Sequence, residues 1–248
     1  MSFMRTPRSL NDTFVLFGAR FPIATGLLGG VTLLASLIGA FGSRNGLRLL
    51  GHVGLAPDLI ASGEVWRLLT WSFFDLDALS LIFAILMVLF FGRDLCNSWG
   101  GRRFLLFYLG ISAATALCVC LVGWLGWGAV WRGSYYTSWP VVEAITIVWA
   151  TMYPSRQLLL YFVLPVGGQT LVYITVIGTL VFAFLHGFDL FLPHFVAMGL
   201  GWLYLRGFSP QYWWLRFKLA TGLAGRWRPS HLRAVDKKDG AEPPRWLH

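Results

Sequence analysis

Two ionisable residues stand inside apolar text, and they are where this chain could do chemistry. Glu143 lies in the run Val141-Val142-Glu143-Ala144-Ile145. An apolar setting does not tolerate a carboxylate without a partner, a watery cavity or a bound proton. His194 precedes Phe195-Val196-Ala197-Met198. An ionisable group at membrane depth is costly and by default functional, the plain alternative being a local cap or hydrogen bond. Ala197 and Gly201 follow on the same helical face, and small residues four apart let a second helix approach to near-backbone contact. Cys96, Cys118 and Cys120 are too few and too badly spaced for a zinc site or a disulfide framework, and read as packing. No metal and no cofactor is expected.

These residues must be positioned by membrane helices. Of 248 residues, 56% are hydrophobic and only 12% charged, against roughly 25% charged in soluble domains. In lipid every backbone polar group must be paired internally, so only helices or closed barrels span. The apolar stretches are continuous rather than alternating, which excludes a barrel. An all-α, polytopic fold crossing the bilayer about six times is expected.

The spans read as 22–41, 78–91, 104–123, 141–153, 170–185 and 194–205, with Gly92-Arg93-Asp94 ending the second and a loop over 186–193 before the sixth. The first is too long for a signal-peptide core and lacks a cleavage pattern, so it reads as a retained span. The fourth has thirteen residues, short of the ~20 needed to cross ~30 Å of hydrocarbon, and must be shielded by its neighbours. The long loop from Gly42 to Asp77 carries Trp66 and Arg67 in an interfacial amphipathic segment that anchors it. Asp75 and Asp77 read as solvated loop charges. Trp124, Trp127 and Trp131 form an aromatic belt.

The net charge of +9 does not indicate nucleic acid, because its distribution follows the membrane. Sixteen of the 20 Lys and Arg lie in segments that share one side, four on the other. That positive-inside bias puts both termini in the cytoplasm. Three segments follow: a cytoplasmic stretch over 1–21, a membrane domain over 22–207, and a basic, aromatic cytoplasmic tail over 208–248. The tail reads as an anchor on an anionic membrane face, with partner docking second. A bacterial inner membrane suits this pattern, with an organelle membrane as the alternative.

Taken in order, Trp66-Arg67 in a long first loop, Gly92-Arg93-Asp94, Gly101-Arg102-Arg103-Phe104, the short fourth span before Pro154-Ser155-Arg156, the run from Leu158 to Val166, and His194 with Ala197 and Gly201 resemble the rhomboid superfamily of intramembrane proteases and their inactive relatives. The resemblance covers most of residues 20–207 and implies a six-helix rhomboid-like bundle. It also implies a serine opening the short fourth helix in a Gly-x-Ser-Gly turn, paired with a histidine at His194 as nucleophile and base. This chain lacks that turn. The family's serine falls at Trp139 and its following glycine at Pro140, which has neither conformational freedom nor an N–H. Ser138, one residue earlier, is the nearest hydroxyl. The family's two oxyanion donors fall at Ser80 and Ala84; alanine cannot donate, and losing one such donor costs about 2.7–4 kcal/mol.

In that register Glu143 replaces an aromatic that packs on the histidine, so a hydrogen-bonded Glu143–His194 pair is expected in the core. The resemblance therefore implies an inactive pseudoprotease that binds membrane lipids and the transmembrane segments of client proteins, the client role resting on analogy with inactive branches such as derlin-like proteins. The alternative is an active serine endopeptidase using Ser138 and His194. A small transporter ranks last, since one carboxylate, one histidine and no inverted repeat line no path.

Overall fold

The computed structural model describes residues 10, 12–16, 18–44, 49–160 and 164–207. The chain divides into units Met1–Arg206 and Gly207–His248, and the described helices and strands lie in the first. The anionic-face reading of the tail falls outside the described residues.

Helices dominate. A hairpin of β1 (Thr13–Leu16) and β2 (Ala19–Pro22) leads into α1 (Ile23–Arg44). The first loop contains three short helices, α2 (Leu49–Val53), α3 (Pro57–Ala61) and α4 (Arg67–Thr70), and a 3-10 turn over Trp71–Phe73. Then come α5 (Ala78–Trp99), α6 (Gly101–Trp124), α7 (Gly128–Trp131) and α8 (Trp139–Met152). A second antiparallel hairpin, β3 (Gln157–Leu160) and β4 (Leu164–Gly167), precedes α9 (Gly168–His186) and α10 (Phe188–Leu205). Among the described residues five helices, α1, α5, α6, α9 and α10, are long and apolar enough to cross a membrane; α8 is apolar but has only 14 residues.

Two expectations change here. The fold is mostly helical rather than all-α, because the run from Leu158 to Val166 turns back as a hairpin. Nine residues are too few to cross, and Pro165 has no N–H for a helix. Two span boundaries also move. The second span runs on through Gly92-Arg93-Asp94 to Trp99 and ends only at Gly100, whose φ of 83° breaks the helix while its N–H bonds the Cys96 carbonyl. Gly92 serves close approach instead: a Cβ there would meet Phe104 at 2.7 Å and Thr25 at 2.8 Å. The sixth span begins at Phe188, after a break at Gly187 with φ 111°, so His194 lies inside α10 rather than opening it. Pro193 inside this helix leaves the Asp189 carbonyl without its helical donor, and the Tyr135 hydroxyl donates to it at 3.0 Å.

α8 is the hub. Its residues Val141, Ala144, Ile145 and Val148 are fully buried, and it packs against α5, α6, α9 and α10. In lipid such association rests on close packing rather than on transfer of apolar surface from water. Gly201 of α10 lies against Ala144 so closely that a Cβ would stand 3.0 Å from the Ala144 carbonyl oxygen, and Ala197 is fully buried one turn earlier.

Candidate functional site

The first loop is held from within by Arg67, only 1% exposed. Its guanidinium donates to the carbonyls of Gly54 at 2.7 Å and Gly51 at 2.6 Å, satisfying the end of α2, and its Nε donates to Glu64 at 2.7 Å. A planar, always-charged fork suits three acceptors in one place. Trp66 is half exposed, with its indole N–H on the His52 carbonyl at 3.0 Å. Paired backbone bonds between Leu55 and Tyr135 then join this loop to the segment before α8.

The start of α8 gathers polar groups. Asp75 is 4% exposed, which corrects its reading as a solvated charge. Its carboxylate accepts from the Ser138 hydroxyl in a short hydrogen bond, from the Thr137 hydroxyl at 2.9 Å and from the Ser138 amide at 3.4 Å. Its own amide donates to Ser36 of α1 at 2.9 Å. Burial pushes the Asp75 carboxyl above its ordinary 3.8, against the hydrogen bonds from Ser138 and Thr137, which pull it down. Next to this group the Trp139 indole N–H bonds the Ser80 hydroxyl, and Ala84 is buried one turn along α5.

One turn further into α8 lies a second carboxylate. Glu143 Oε2 is 2.9 Å from His194 Nδ1 of α10, and Oε1 accepts from the Thr179 hydroxyl of α9 at 3.0 Å. Both side chains of the pair are 12% exposed, and the His194 ring lies 5.0 Å from that of Phe191. One carboxylate thus joins three helices. A carboxylate on Nδ1 orients an imidazole as in a nucleophile–base–orienter constellation. The nucleophile position is another matter, because the Ser138 hydroxyl is directed at Asp75.

At the opposite end of α8, Asp94 accepts from the Trp149 indole at 2.9 Å and pairs with Arg156 at 2.5 Å. The Arg156 guanidinium also lies 4.6 Å from the Tyr153 ring centroid. Among the described residues no group of three or more His, Cys, Asp or Glu could hold a metal ion.

Sequence reasoning singled out Glu143, His194, Ser138, Ser80, Ala197 and Gly201, and missed Asp75 and Thr179. The signal for Asp75 was the adjacent hydroxyl pair Thr137-Ser138, which is a ready set of donors. Thr179 gave none, since a threonine on a membrane helix ordinarily bonds its own backbone, as Thr179 also does to Thr175 at 2.9 Å.

A family described as eukaryotic integral membrane protein (DUF1751) matches residues 25–216, and the chain belongs to it. No curated protein matches the chain. The family corrects the expected location: a bacterial inner membrane conflicts with a eukaryotic family, and the basic bias that suggested it is common to cytoplasmic loops in general.

Proposed function

On the premise of that membership, we propose that this integral membrane protein is a rhomboid-like pseudoprotease with α8 as a sixth, recessed crossing. It binds transmembrane segments of other proteins through the first loop and the groove beside α5 and α9. The observation that carries this reading is the engagement of the would-be nucleophile: the Ser138 hydroxyl donates to Asp75, while the His194 Nδ1 is on Glu143. Pro140 behind the serine, the Trp139 indole on Ser80, and Ala84 in place of a second oxyanion donor support it further.

The client groove is supported by packing. α5 and α9 each lie on α8, and α9 turns Tyr173, Ile177, Val181 and Phe184 outward. A helix-sized client can lie along such a face without any new polar contact.

The test pairs chemistry with binding. Purified protein in liposomes is given a model transmembrane substrate and a serine-reactive fluorophosphonate, with Ser138→Ala and His194→Ala alongside. The expected result is no cleavage and no labelling in any of the three, together with photo-crosslinks from position 177 to the model segment. Cleavage lost in both variants overturns the reading in favour of a Ser138–His194 protease. Absence of crosslinks from 177, with crosslinks from α1 instead, overturns the proposed groove.

A further inference from the structure

A groove of about 310 Å³ lies between the first loop and α6, walled by Pro57, Ile60 and Ala61 of α3 and by Leu117, Leu121 and Trp124 of α6. Cys120 and Trp131 complete it. The four α6 residues recur at helical spacing, so they form one face of a candidate span. Leu117 and Leu121 are more than half exposed and Trp124 is 72% exposed, so the groove opens onto the lipid-facing flank of that span.

Its size and chemistry select the occupant. A single hydrocarbon chain, slimmer than a transmembrane helix at ~10–12 Å across with its side chains, suits a groove of this volume. The walls carry almost no polar surface, so nothing there would satisfy the polar groups of a peptide, a sugar or a nucleotide. Trp124, Trp127 and Trp131 mark the level where hydrocarbon meets headgroups. A chain lying in the groove can therefore keep its own headgroup at that level. We propose that this groove, formed where α3 of the first loop lies against α6, is a binding site for one acyl chain of a phospholipid from the loop-side leaflet. A chain held there props α3 against the bundle and makes the first loop responsive to the surrounding lipid.

The test uses the full chain in phosphatidylcholine liposomes doped with a phospholipid bearing a diazirine in its acyl chain, with adducts mapped by mass spectrometry. The expected result is several-fold more label on 57–61 and 117–124 than on the outward face of α9. Leu121→Trp and Ala61→Trp fill the groove from opposite walls, and each should remove that excess while leaving the α9 label unchanged. Even labelling of α1, α6 and α9 means ordinary surrounding lipid and overturns the proposal, as does an excess that survives both substitutions. A free diazirine fatty acid forms the second arm; labelling of the groove by the free acid alone overturns the assignment to phospholipid.

Discussion

Asp75 and Glu143 are both carboxylates lodged against α8, yet their partners differ in kind. Asp75 sits outside the helix and collects two hydroxyls and an amide from adjacent residues, Thr137 and Ser138. It fixes where α8 begins. Glu143 sits within the helix and reaches sideways to α9 and α10. It fixes what α8 lies beside. The lesson is that a serine near a histidine makes no nucleophile–base pair when a separate carboxylate takes the serine hydroxyl. Partnering decides the chemistry before residue type does.

Removing each carboxylate separates the two roles. Asp75→Ala strands three donors, so its unfolding free energy in detergent should fall the most, by at least about 3 kcal/mol at ~1–3 kcal/mol per buried unpaired group. Glu143→Ala strands the His194 imidazole, while the Thr179 hydroxyl keeps the Thr175 carbonyl, and should cost about 1–3 kcal/mol. Combined with His194→Ala it should be non-additive by ~0.5–3 kcal/mol, as for residues in contact. Strict additivity in that double-mutant cycle would sink the idea that the pair acts as a unit.

A subtler distinction lies in acid response. Burial raises the Asp75 carboxyl above 3.8, so the folded state holds this proton more tightly than the unfolded chain does. The stabilisation is complete below pH 3.8 and is lost as pH rises through the raised folded value. Asp75→Asn keeps the shape without the titration, so the wild type should lose stability relative to this variant as pH climbs from the unfolded value through the raised folded one. A parallel pair of melting-temperature profiles would show that Asp75 is not the group responsible.

The smallest effect is reserved for a hydrogen bond outside both clusters. Tyr135→Phe removes the donor to Asp189 above Pro193 and should cost about 0.5–1.5 kcal/mol. Tyr135 itself stays neutral at physiological pH, since burial and then the Asp189 charge push its hydroxyl up to about 12. A loss as large as that of Glu143→Ala would mean that the start of α10, not the pair, controls the bundle.

Much of the fold was legible because lipid leaves few choices: long apolar runs gave α1, α6 and α9 to within a few residues. The misplaced boundaries came from reading punctuation literally. Gly92 is there for the approach of Phe104 and Thr25, and Pro193 sits inside a helix whose exposed carbonyl a tyrosine covers. That Glu143 needs a partner is written in its surroundings; which partners it takes is geometry. Asp75 was misread because its donors lie more than 60 residues away. Arg67 hid its role for another reason, since Gly51 and Gly54 receive it through carbonyls that every residue owns.

The brevity of α8 also has an electrical consequence. Fourteen residues at 1.5 Å each span about 21 Å, against ~30 Å of hydrocarbon. Polar groups occupy both ends: Asp75 and its donors at one, Asp94 and Arg156 at the other. If α8 is the recessed crossing proposed above, the insulating layer is thinner through this helix than through the bilayer around it. A voltage across the membrane then falls over that shorter path, and the Glu143–His194 hydrogen bond lies where the field is steepest.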